Sequence, residues 1–315
     1  MMPRHCGCRQ QSTQGGYNVR GKSIAATVVA VLCVAGIVAA GSSARVGSQP
    51  AALDAKPAHG FIPSRHASKA RPSRVRQLSW HGGPVMHATT VVPVYWGSSW
   101  ANSSFVGDKV SGLDTLYSGI HGTPYAHTNG EYTDGSGNVN TSSIGKSANK
   151  TDTSATPSGA PSTSQVLQEV AKVTNGAPVA NAYYPVYSDQ RRGNAGYCAW
   201  HSSGTINGIR VQFGFFFNLD GDSGCDPQSP SILGHSQGLA ALANVSGHEL
   251  SEMLTDPQLN AWYDQQGEEN SDKCAWTWNG TVAIGGQSWK IQGNWSNAAA
   301  SARTGYANVG CIQTS

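Results

Sequence analysis

Charge is scarce here. Charged residues make up only 12% of the 315 positions, whereas glycine alone occurs 38 times. That balance argues against a helical cytosolic protein and for a loop-rich, exported globular one. No CxxC spacing occurs among the seven cysteines, which argues against a zinc–thiolate site. No internal repeat stands out. Only one long apolar run exists, so nothing points to a protein that crosses a membrane several times. Acids are almost missing from the first quarter: residues 1–78 hold eleven Lys/Arg and the single acid Asp54. The remainder has ten Lys/Arg against seventeen acids, a net charge of about −7. A basic face for nucleic acid is therefore absent from the folded part, and a nucleic-acid partner is not expected.

What is present at the N-terminus reads as an export signal. Arg4, Arg9, Arg20 and Lys22 precede the uncharged run "IAATVVAVLCVAGIVAA", residues 24–40, and the small residues "GSSA" follow. A cleaved signal over 1–44 fits better than an uncleaved anchor, which leaves no stable membrane span in a mature, secreted, extracellular chain. Residues 45–79, rich in Pro, Ala, Ser and Arg without periodicity, read as a disordered linker or propeptide-like segment. The folded domain is expected over 80–315. Cys198, Cys225, Cys274 and Cys311 remain after cleavage, an even number that suits two disulfides. Three pairings exist. Cys198–Cys225 with Cys274–Cys311 is expected, because neighbouring pairs close short loops.

Within the domain, "HATTVVPVYWG", "NAYYPVYS" and "IRVQFGFFFNLD" read as strands. "SSFVGDKVSGLDTLYSGI", with Ser104 as N-cap, and "SGAPSTSQVLQEVAKVTNG" read as helices. "SQGLAALANVSGHELSEML" is a long helix with an apolar stripe, and it should stop near Leu254 or Thr255 because Pro257 follows. Short strands and turns fill 257–315. The order implies an α/β (α+β) fold, zincin-like: a mixed twisted sheet, an active-site helix and an irregular C-terminal part.

The chemistry-bearing stretch is "GHELSEMLTDP", residues 247–257. His248 and Glu252 are four apart, so both can reach one metal ion from one helix face, and Glu249 holds the position of a general base. Glu252 stands where a second histidine is usual, and a carboxylate is an acceptable ligand of Zn2+ or another divalent metal. Asp256 sits at the turn beyond. Glu268 and Glu269 are equal candidates for a third ligand, with Asp272 supporting His248. The chain has only six glutamates, and four lie between 249 and 269, so the acids are concentrated here. The competing reading is a solvated acid face with His248 bonded to a nearby carbonyl.

Three weaker signals accompany it. Asp220 and Asp222 in "NLDGDSGCD" could wrap Ca2+, or form a plain glycine-rich turn. His201 either approaches the site or caps a strand end. "GHSQG" fits the pattern of a serine nucleophile at Ser236, but fifteen residues separate it from the preceding strand, so Ser236 reads better as a helix N-cap.

"GYCAWH", an aromatic strand, and then "GHELSEMLTDPQLNAWYDQQGEENSDKC" together resemble the plant EXORDIUM and phosphate-induced protein 1 group and its bacterial relatives. The similarity spans roughly 80–310 and is densest at 196–274, while the last 40 residues carry no matching motif. His248, Glu249, Glu252, Glu269, Asp272 and Cys274 fall on the group's pattern. The resemblance implies an extracellular or cell-wall protein with a zincin-like core. Two functions follow as expectations: a metal-dependent (zinc) peptidase or hydrolase, or a non-catalytic protein in which the metal is structural. A peptide or cell-wall component is the implied partner.

Overall fold

The computed structural model describes residues 50–67, 77–227 and 233–315, so the apolar run and the signal assigned to 1–44 lie outside the described residues. Strands are named β1 (Leu53–Ala55), β2 (His59–Pro63), β3 (Thr89–Val91), β4 (Val94–Trp96), β5 (Ile144–Lys146), β6 (Lys150–Asp152), β7 (Tyr183–Arg191), β8 (Tyr197–Ile206) and β9 (Ile209–Asn218). The longer helices are α1 (Lys109–Gly119), α2 (Thr163–Val173) and α3 (Gln237–Thr255). The nine strands form one mixed sheet in the order β1–β8–β9–β7–β3–β5, with β2 also on β8 and β4 between β7 and β6. Strands β3 to β7 and β9 run parallel to their partners in that half, and β1 and β2 lie antiparallel on β8.

Local chemistry explains the pieces. Asn207 and Gly208 take positive φ of 50° and 80°, the two-residue turn that matches strand twist and joins β8 to β9 antiparallel. Pro93, which lacks a backbone donor, divides the first expected strand into β3 and β4. The first expected helix also divides, because Gly107 takes a positive φ of 51°. Asn102, not Ser104, caps its first turn by accepting from the Ser104 amide at 2.9 Å. Ser162 and Gln165 form a reciprocal capping box at the start of α2.

Successive residues of β8 alternate faces. His201 meets α3, whereas a side chain at Gly204 would meet Leu167 of α2, so the two helices cover opposite faces of the sheet. The aromatic strand residues Trp200, Phe213 and Phe215 are fully buried between them. Each such side chain contributes about 1.5–3 kcal/mol by leaving water.

Two expectations are corrected here. Helix α3 is not amphipathic: every residue from Gly238 to Thr255 is buried, because helices, sheet and the C-terminal segment surround it. Gly247 permits the close approach of that segment, since a Cβ there would lie 2.5 Å from Ile291. The N-terminal stretch is not a bare linker either. Within 45–79, β1 and β2 pair with β8, and Ser79–Trp80 pairs with Trp262–Tyr263, so the fold starts well before residue 80. Backbone hydrogen bonding to an open sheet edge outweighs a composition that lacks periodicity. The disulfides are Cys198–Cys225 and Cys274–Cys311, with Cα separations of 5.8 and 5.7 Å. That cross-linking suits maturation in an oxidising compartment. Among the described residues, no helix is long and apolar enough to cross a membrane.

Candidate metal centre

Helix α3 brings His248, Glu249 and Glu252 beneath β8, all three 0% exposed. The expected stop holds: Asp256 caps the helix at φ −141°, one residue before Pro257. Its Oδ1 accepts from the amides of Asn260 and Ala261 at 2.6 and 2.7 Å, which turns the chain back along the helix. Asp264 then accepts from the Gln266 and Glu268 amides and pairs with Lys273 at 3.0 Å. This folded-back loop delivers Glu269 and Asp272 to the helix. Asp272 donates its amide to Glu252 Oε1 at 2.9 Å, and its own Oδ2 accepts from the Glu269 amide at 3.2 Å.

The result is a cluster of rings and carboxylates. His248 Nε2 lies 3.1 Å from Glu252 Oε1 and 3.6 Å from Asp272 Oδ1. His201 Nε2 lies 2.9 Å from Glu269 Oε2 and 3.7 Å from Glu252 Oε2. His59 Nδ1 is 2.8 Å from the same Glu269 oxygen. Three overlapping groups have ligand atoms within 4.8 Å of one another: His59, His201 and Glu269; His201, Glu249 and Glu252; His248, Glu252 and Asp272. Several atoms have no hydrogen-bond partner although they are buried: His248 Nε2, both Glu249 oxygens, Glu252 Oε2, Asp256 Oδ2 and Glu269 Oε1. The 3.1 Å approach of His248 to Glu252 is therefore proximity without a directed hydrogen bond.

The electrostatics follow from burial. Desolvation pushes the carboxyls of Glu252, Glu269 and Asp256 up to about 7, and that of Glu249 well above its usual range. His201 is pushed down to about 4 by burial, so its ring is neutral. His59 is lifted to about 9 by its hydrogen bond to Glu269. Burial disfavours charge on His248, but the facing Glu252 and Asp272 carboxylates outweigh it and raise its pKa.

Gln292 orients the His248 ring. Its amide nitrogen donates to His248 Nδ1 and to the Ser271 carbonyl, both at 2.9 Å, and its oxygen accepts from the Trp276 amide at 3.2 Å. Those neighbours fix which end of the amide faces the ring. The neutral ring thus carries its proton on Nε2; for Nε2 to bind a cation, that proton must move to Nδ1, with the Gln292 amide turned so that its oxygen accepts it.

Several sequence expectations change. Glu249 and Glu252 are not on a solvated face. Glu269, not Glu268, joins the ligand groups; Glu268 is half-buried beside the Asp264 turn and belongs to none of them. Asp272 approaches His248 from the Nε2 side, so it stands among the ligand atoms, and the supporting position behind the ring belongs to Gln292. His201 approaches the site. His59 was hidden in the supposed linker, and the only local signal was the short apolar step after it, "HGFIP". Asp220 and Asp222 form no calcium wrap: Asp220 pairs with Lys109 and Asp222 with Arg192. Ser236 is the N-cap of α3, accepting from the Leu239 amide at 3.1 Å and donating to Asp108, and among the described residues its neighbour His235 bonds the Ser288 carbonyl instead. A groove of about 460 Å³ near Thr90, Ser143 and Asn181 carries no titratable side chain and lies apart from this centre.

No family model, curated protein or solved structure matches the chain.

Proposed function

We propose that this is an exported, zincin-like metalloprotein that hydrolyses peptides, with a divalent cation held by His248, Glu252 and Asp272 and with Glu249 as general base. The observation that carries the reading is the set of buried, unpartnered atoms: His248 Nε2 and both Glu249 oxygens have no hydrogen-bond partner although both side chains are 0% exposed. Such atoms are costly to bury unless a cation satisfies them. The donor set of one imidazole and two carboxylates suits zinc or a similar divalent ion. A cation bound there supplies Lewis acidity toward an acyl carbonyl and an attacking water. Glu249 adjoins the ligands, and both its oxygens are unpartnered, so it has the capacity to take a proton from that water. Gln292 holds His248 in place, and Asp272 holds Glu252 through its amide. The motif resemblance to the EXORDIUM group supports the extracellular setting, with a peptide or cell-wall component as partner.

One observation favours a second reading, in which the metal is structural. The centre is largely closed: among its described residues, His59 and Asp272 are the exposed ones, with side chains 35% and 16% exposed, and the others are buried. Glu249→Gln separates the two. The hydrolytic reading expects zinc content to be kept and cleavage of a denatured peptide mixture to be lost. Absence of turnover in the wild-type chain, together with a melting temperature that falls when metal is removed, establishes the structural role instead.

A further inference from the structure

We infer that His59, His201 and Glu269 form a second divalent-cation site beside the one at His248, with the Glu252 carboxylate bridging the two. The first cation rests on the reading above; the second stands on its own residues. Two imidazole nitrogens converge on one oxygen of Glu269, at 2.8 and 2.9 Å. The carboxylate's other oxygen is buried without a partner. Among the described residues, no group of mutually close ligand atoms contains both His201 and His248, so one ion does not serve both rings. Glu252 divides its oxygens between them: Oε1 faces His248 at 3.1 Å and Oε2 faces His201 at 3.7 Å. That split is the arrangement of a carboxylate shared by two metals.

Charge points the same way. Glu249, Glu252, Asp256, Glu269 and Asp272 are five acids in one cluster, and Lys273, in the loop that carries Asp272, is committed to Asp264 at 3.0 Å. Two imidazoles with a carboxylate select a first-row transition ion of the zinc type over calcium or magnesium.

The test is zinc content of the full, purified chain after saturation and removal of free ion, read by atomic emission. About two equivalents are expected in the wild type, about one in His59→Ala and about one in His248→Ala. His59 is a third exposed at the centre's edge, so its removal spares the core; His59→Gln repeats the count if the alanine variant does not fold. Manganese loading supplies an independent readout, because two bridged ions give a spin-coupled resonance that His59→Gln abolishes. A wild type that saturates at one equivalent overturns the inference, as does a His59 variant that keeps both ions. One ion lost by His248→Ala alone leaves the proposed function standing and removes the second site. Two ions with no hydrolysis does the reverse.

Discussion

Gly60 and Gly107 make a matched pair. Both take a positive φ, +52° and +51°, yet their surroundings differ completely. Nothing lies within 4 Å of a Cβ built on Gly107, whereas a Cβ on Gly60 would fall 2.1 Å from Glu252 Oε2 and 2.4 Å from the His201 ring. Alanine at either position carries the cost of a positive φ, about 1–2 kcal/mol in the αL region and more at Gly107, whose ψ of −128° lies outside it. Only Gly60→Ala adds overpacking. Glu252 cannot swing aside freely, because its Oε1 holds the Asp272 amide at 2.9 Å. His201 is held in β8 and is 1% exposed. Overpacking of that kind costs a further 1–3 kcal/mol, roughly, so Gly60→Ala should lose about 2–5 kcal/mol in total.

Urea unfolding of metal-free protein measures both substitutions, with the midpoint compared at unchanged slope. Zinc affinity, measured by competition with a chromophoric chelator, should fall by about tenfold or more in Gly60→Ala and stay level in Gly107→Ala, since displaced ligands bind poorly. Equal stability losses in the two variants, with unchanged zinc affinity, would show that β2 does not press on Glu252 and His201. The account of the centre would then fail at its N-terminal side.

Gln292→Ala removes the brace behind His248 and should weaken zinc binding by about 10–100-fold while leaving the secondary structure intact by circular dichroism. Replacing both Cys274 and Cys311 by serine opens a link spanning 37 residues and should cost about 3–4 kcal/mol in denaturant unfolding. Because Cys274 ends the turn that carries Asp272, zinc affinity should fall as well, whereas replacing Cys198 and Cys225 should mainly lower stability. Away from the centre, burial and a hydrogen bond to Asp152 lift the Glu169 carboxyl from 4.5 to about 7. The folded chain therefore holds a proton that the unfolded chain releases, and stability declines as pH rises across that interval. Glu169→Gln mimics the protonated form, so it should equal the wild type near the bottom of the window and exceed it by about 1–2 kcal/mol at the top, allowing for solvent screening. Parallel thermal melts across the window read the difference, and a constant offset would refute it.

The long helix and its acids were legible because they depend on local rules. The spacing of His248 and Glu252, the Ser236 cap and the stop at Pro257 all follow from neighbours within a few residues. The disulfide pairing was legible on a different ground, since neighbouring cysteines close the shorter loops, of 27 and 37 residues. His59 was not legible. Its strand has five residues, and its stability comes from pairing with β8, more than 130 residues away. Composition averaged over 45–79 dilutes so short a segment. The choice between Glu268 and Glu269 was equally out of reach, since it depends on which way the Asp264 turn points two adjacent side chains.

The same distinction explains why a solvated acidic helix stood as the competing reading of this stretch. Sequence spacing places acids on a helix face but says nothing of what covers that face. Here the cover comes from two pieces remote in sequence, β2 from well before the helix and the loop through Gln292 from after it. Each contributes a group that answers the acids chemically: a ring from His59 and an amide from Gln292. Without those pieces, Glu249 and Glu252 would be solvated and would need no counter-ion. With them, the carboxylates are stranded out of water with unpartnered oxygens, and lysine and arginine stay outside the cluster. Burial with oxygens left unpartnered, and no lysine or arginine among the contacting groups, is what turns an acid cluster into a demand for metal. It is also why covering the helix, and not the spacing along it, decides the chemistry of this chain.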